Sequence, residues 1–160
     1  ERYRSLKPPR RKLIPPLEPR TAETLYRLYQ GDLRNFLRLV SEASERLLGV
    51  AGIRPMKPEE MLVEMAPEYA RRLRGMLSDT DHGHLETLVN ASAPEHEFRV
   101  TDAVRSTGLT QGAASDLVQR LYSARCITIS RTEGRSVYYR PVGHVLVGTV
   151  PPERLVVLQG

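Results

Sequence analysis

Between Val100 and Arg140 the spacing of apolar residues switches from a helical period to a strand period, and few folds allow that switch in so short a stretch. Ala114, Leu117, Val118 and Leu121 recur at the 3.6-residue spacing of one helix face. Ile127 and Ile129, then Val137 and Tyr139, alternate with Thr128, Ser130, Ser136 and Tyr138, the pattern of half-buried strands. Thr132, Glu133 and Gly134 lie between the two runs and read as a hairpin turn. Upstream, Gly108 marks a tight turn, and Thr110 is placed to cap a helix running to about Arg125. A short helix over about Thr101–Ser106 precedes the turn, opened by Phe98. Before it, His82–Ala91 reads as a helix with Leu85, Leu88 and Val89 inward, broken by Ala93 and Pro94.

The order helix, helix, glycine turn, helix, hairpin is the winged helix-turn-helix plan. In the helix opened by Thr110, the inward positions leave Gln111, Gly112, Ser115, Gln119 and Arg120 facing outward. A helix face that met only water would usually be richer in Lys and Glu. Gln pairs with adenine edges, and Ser reaches bases or phosphates. Gly112 and Ala113 permit close backbone approach, and free amides at a helix start favour a phosphate. The hairpin adds Arg131, Arg135 and Ser136 near its tip, placed for phosphates or the minor groove. Asp116 counts against this reading unless it accepts from cytosine or pairs with Arg120 one turn on. The expected partner is double-stranded DNA. The rival is a winged helix that binds protein, and a third class is a free-standing transcriptional regulator with its own dimer interface and ligand pocket.

Charge sharpens the picture only locally. The net charge of +5 resides in residues 1–20, where seven basic residues face Glu1 and Glu18. From Leu117 to Arg140 the chain holds Arg120, Arg125, Arg131, Arg135 and Arg140 against Glu133 alone. That contrast predicts a basic face on the last domain.

The rest of the chain is expected to be helical, giving a mainly α fold of two small units. Residues 1–20 carry Pro8, Pro9, Pro15, Pro16 and Pro19, and read as a basic, extended linker or a phosphate-touching arm. Residues 21–78 read as a helical bundle. Thr21 caps a first helix with Leu25, Leu28 and Tyr29, and Gly31 ends it. Asp32 caps a second with Leu33, Phe36, Leu37, Val40, Ala43 and Leu47 on one face, stopped by Gly49 and Gly52. Pro58 starts a third, and Pro67 restarts it. Met61, Met65 and Met76 are read as core filling. Residues 79–148 form the winged helix unit, and 149–160 a tail that pairs as a strand, covers the core or makes a dimer contact.

Two resemblances extend this reading. The stretch Val100–Arg140, with "TGLTQGAAS", "LVQRL" and the wing "RTEGRSVYYR", resembles winged helix-turn-helix regulators of the MarR and ArsR kind. It departs from them at Arg125 and Cys126, where the family often has glycine and leucine. The stretch Leu25–Ala43, "LYRLYQGDLRNFLRLVSEA", is similar to the helical lid of AAA+ ATPases, especially the initiator and origin-recognition group. In that group a winged helix follows the lid. The resemblance implies that Arg34 is the sensor 2 arginine that reaches nucleotide phosphates. It also implies that ATP and Mg bind only with an upstream ATPase domain, which would be a partner of this chain. No G-x-x-x-x-G-K-[ST] loop is present, so no ATPase activity and no cofactor are expected here. The chain does not begin with Met and reads as a piece of a longer protein acting in transcription or replication.

Other signals carry less. Asp79, Asp81, His82 and His84 are better explained by helix capping than by metal, since zinc needs three or four convergent ligands. Cys126, flanked by arginines, is either a sensitised thiol or a core residue, with the core favoured. No apolar run suggests a membrane, and one cysteine fits a reducing cytoplasm.

Overall fold

The computed structural model describes residues 17–51 and 54–159. Eight helices and one antiparallel hairpin are present among them. The helices are α1 (Pro19–Tyr29), α2 (Leu33–Ala51), α3 (Pro58–Met76), α4 (Asp79–Ala91), α5 (Val100–Thr107) and α6 (Gln111–Ser123). Strands β1 (Ile127–Glu133) and β2 (Ser136–Pro141) follow, then α7 (Gly143–Thr149) and α8 (Pro152–Gln159). None of these helices is long and apolar enough to cross a membrane.

The first three helices form as their apolar spacing predicts, with local corrections. Thr21 does not cap α1; it lies inside the helix, buried, and its hydroxyl donates to the Met56 carbonyl at 2.8 Å. That bond ties α1 to the entry of α3. Gln30, not Gly31, takes the left-handed C-cap position (φ 49°). Asp32 does cap α2, accepting from the Asn35 amide at 3.1 Å. The inward face of α2 is Phe36, Leu39, Val40 and Ala43; Leu33 and Leu37, expected inside, are more than half exposed. Pro67 does not restart a helix but sits within a continuous α3. Met61 and Met65 are fully buried, whereas Met76 is exposed. Residues 1–16, most of the basic segment, and Gly52 lie outside the described residues; Pro19 and Arg20 are already helical.

Ion pairs fasten α2 to α3. Glu42 accepts from Arg38 at 2.9 Å and pairs with Arg72 at 3.0 Å, and Arg72 also reaches Glu68 at 3.0 Å. Against the penalty of burial, the hydrogen bonds from Arg72 and Arg38 hold the Glu42 carboxyl below its usual range.

In the second half, Ser78 rather than Asp79 or Asp81 caps α4, accepting from the Asp81 amide at 3.1 Å. Gly108 makes the turn after α5 at φ 74°, which glycine adopts without strain. Thr110 caps α6 through the Ala113 amide at 3.3 Å. Ala114, Leu117, Val118 and Leu121 are completely buried. The strands run to Glu133 and start again at Ser136, so the turn is Gly134–Arg135 rather than Thr132–Gly134. A register shift between Ile129 and Arg131 leaves Ser130 bulged. Phe98 exchanges both backbone hydrogen bonds with Tyr139, at 3.0 and 2.8 Å, which pins the hairpin to the segment between α4 and α5.

After β2 the chain returns to the bundle. Helix α7 packs along α3, and α8 packs against α1 and α3. The tail is helical over Pro152–Gln159 and does not pair as a strand among the described residues, and its Val150 and Leu155 are buried in the core. A Cβ on Gly143 would lie 2.4 Å from the Tyr29 ring, and one on Gly148 would lie 3.0 Å from the α3 backbone at Tyr69 and Ala70. Only glycine permits so close an approach. His144, between them, meets Tyr29 Oη at 2.6 Å through Nδ1 and packs on Tyr69 with ring centroids 4.5 Å apart. Buried side chains from both halves join one hydrophobic cluster.

Two expectations follow from this seam. Gly143→Ala forces Cβ into the Tyr29 ring and should cost about 1–3 kcal/mol, read as a lower thermal midpoint; an unchanged midpoint would show that the approach is slack. Burial, then the nearby Arg38 charge, lowers the His144 pKa to about 4, and burial lowers that of His96 as well. Unfolded imidazoles protonate near pH ~6.5, so this stability is complete above that value and is lost as pH falls toward ~4. Urea midpoints should therefore drop between about pH 7.5 and 5, less so in His144→Gln, and equal pH slopes in the two proteins would sink this assignment.

Candidate nucleic-acid interface

Helix α6 presents the residues expected to read DNA. Thr110, Gln111, Gly112, Gln119 and Arg120 are exposed, and Ser115 is half-buried. Capping and the buried face of α6 fix this orientation: with Ala114, Leu117, Val118 and Leu121 inward, these positions turn outward. A Cβ on Gly112 would meet nothing within 4 Å, so the start of the helix is open to an approaching surface. On the hairpin, Arg131 and Arg135 are exposed and Ser136 is half-buried.

The cations are less free than their order in the chain suggests. Arg120 does not pair with Asp116. Its Nε and Nη2 both donate to Asp81 of α4 at 2.9 Å, a bidentate pair. The Arg120 guanidinium holds the Asp81 carboxyl below its usual range against the cost of burial. Arg131 donates to Glu133 at 2.8 Å and to Glu97 at 3.1 Å. Its guanidinium also lies 3.7 Å from the Tyr138 ring centroid. Glu97 is held below the usual carboxylate range, first by the Ser130 hydroxyl and then by Arg131. Arg135 makes no ion pair among the described residues. The basic face predicted from Leu117–Arg140 is thus partly neutralised by Asp81 and Glu97, acids from outside that stretch.

Arg99 is a cation that sequence reading missed. It pairs with Asp102 at 3.3 Å and its guanidinium lies 5.4 Å from the centroid of the Tyr138 ring that Arg131 also meets. Its place before α5 gave no signal, because only the Phe98–Tyr139 bridge brings it to the hairpin. Ile129, expected inward from the alternating pattern, is 45% exposed, and so is Tyr122 of α6.

Arg34 stands apart. It is exposed at the start of α2, between the exposed Leu33 and Leu37, and makes no ion pair among the described residues. Among those residues no three His, Cys, Asp or Glu side chains gather to hold a metal; Asp81 is committed to Arg120, and His82 is buried. No known protein family matches the chain, and no curated protein or solved structure matches it.

Cys126 is a core residue at 1% exposure, and burial pushes its thiol up to about 11. The thiolate is the reactive form. A disulfide reagent at neutral pH should therefore react with native Cys126 at least ~100-fold more slowly than in urea; similar rates would return the thiol to the list of reactive sites.

Proposed function

We propose that this chain binds double-stranded DNA through a winged helix made by α4, α5, α6 and the hairpin, as the C-terminal portion of a larger AAA+ ATPase. The observation that carries the reading is the exposed face of α6. It offers amides, a hydroxyl and an open glycine at a capped helix start, where bases and phosphates can be met by Gln111, Gly112, Ser115 and Gln119. The hairpin supports it, pinned beside α5 by the Phe98–Tyr139 bridge with Arg135 free at its tip. Arg120 and Arg131 enter DNA binding only by exchanging carboxylates for phosphates, so affinity is modest and salt-sensitive. The lid reading draws support from Arg34, exposed at the start of α2 between Leu33 and Leu37, exposed apolar side chains that an upstream ATPase domain would cover. Nucleotide and Mg enter only with that domain.

A protein-binding winged helix is favoured by a different observation, the exposure of Tyr122 and Ile129 together with the pairing of Arg120 and Arg131.

Fluorescence anisotropy with a random duplex across a salt series separates the two. DNA binding predicts affinity that falls with salt, and Arg135→Ala should reduce the salt slope by about 1. Asp81→Asn should strengthen binding several-fold, because it releases Arg120 to phosphate. No binding down to low salt, in the wild type and in Asp81→Asn alike, sinks the DNA reading and leaves the protein partner.

A further inference from the structure

A cleft of about 680 Å³ opens between the two halves, away from the exposed face of α6. Small-molecule sites occupy roughly 300–1,000 Å³ and combine apolar walls with a few convergent polar groups. This cleft has that composition. Leu73, Val142 and Val145 supply apolar wall. Arg38 and Arg72 line it from the bundle, and Arg125 lines it from the junction of α6 and β1. Asp32 is also on the wall, and Arg38 and Arg72 are paired with Glu42 and Glu68, so Arg125 is the wall cation with no ion pair among the described residues.

Three features point to an anionic occupant. Tyr69, 3% exposed, lines the cleft, and its buried Oη has no hydrogen-bond partner. The Nε2 of His144, also on the wall, is buried and without a partner. An unsatisfied buried polar group costs about 1–3 kcal/mol, so such groups are normally met by something. As a neutral phenol, Tyr69 Oη can donate. His144 Nδ1 and Tyr29 Oη share one hydrogen bond, and in the tautomer whose Nδ1 accepts, Nε2–H is a second neutral donor.

The third feature is the backbone at Arg125. Its φ of 59° is left-handed, a conformation that glycine takes freely and that costs other residues about 1–2 kcal/mol. The strained residue is an arginine on the cleft wall, with no ion pair among the described residues. Arg38 and Arg72 are already engaged by Glu42 and Glu68. Arg125 is therefore the cation available to a ligand. Helix capping alone does not explain it, because glycine would cap without strain.

We infer that this cleft is a binding site for a small organic anion, a carboxylate on an apolar body, with Arg125 meeting the charge and the unpartnered Tyr69 Oη and His144 Nε2 supplying its neutral polar contacts. The inference does not depend on DNA binding. It places a ligand between the bundle and the end of α6.

The test uses 2-naphthoate as probe and its neutral amide as control, by isothermal titration and by amide shifts of the labelled chain. Two variants leave the fold intact. Arg125→Gly relieves the left-handed strain, so its melting temperature should equal or exceed that of the wild type. Gly75 lines the cleft and a Cβ there meets nothing within 4 Å, so Gly75→Leu adds apolar bulk at that wall. The site predicts single-site binding of naphthoate, with shifts at Leu73, Val142 and Val145, and at least ~10-fold weaker binding of the amide. Arg125→Gly and Gly75→Leu should each weaken naphthoate at least ~10-fold without loss of stability. Absence of naphthoate binding, equal binding of the amide, or indifference to both variants would each overturn the assignment.

Discussion

The approach of α7 to Tyr29 and α3 is the contact on which the rest depends. Gly143 and Gly148 remove the side chains that would hold the helices apart, and His144 fills the seam with a ring that bonds Tyr29 and packs on Tyr69. Through this contact the chain, having left the bundle at Ser78, returns to it after the hairpin. The two halves then share one buried cluster instead of each closing a thin core of its own. Burying a histidine here has a cost, since the imidazole stays neutral where it would otherwise take a proton near physiological pH.

The same seam places Arg125 and Cys126 against the bundle. The helix α6 ends in a left-handed arginine, and the strand that follows starts with a buried thiol. Both positions line the cleft against the bundle, Cys126 buried and Arg125 exposed.

Charge arranges itself in the same non-local way. Along the chain, acids cluster in Asp79–Arg105 and arginines in Leu117–Arg140. In space they interleave: Asp81 clamps Arg120, and Glu97 takes Arg131. A basic stretch therefore becomes a surface with Arg135 at its free tip. Whatever binds this face must compete with internal carboxylates, which tunes affinity downward and selects a partner able to offer better anions.

Much of the fold was legible because it is local. The buried side of α6, its Thr110 cap, the Gly108 turn and the alternating hairpin all follow from rules that act over a few residues. Reading failed where distant contacts decided the outcome. Leu33 and Leu37 fit the helical pattern but face outward, since the buried stripe of α2 is centred on Phe36, Leu39, Val40 and Ala43 and leaves them at its edge. Thr21 has the chemistry of a cap, yet its hydroxyl goes to Met56. The candidate DNA-facing residues of α6 were found from spacing alone, while the restraint on Arg120 and Arg131 and the arrival of Arg99 beside Tyr138 were not. Sequence by itself determined the elements, because helix and strand periods are written in neighbouring residues. Tertiary structure alone decided the cleft, the ion pairs and the seam, because each joins residues far apart in the chain that no local spacing brings together.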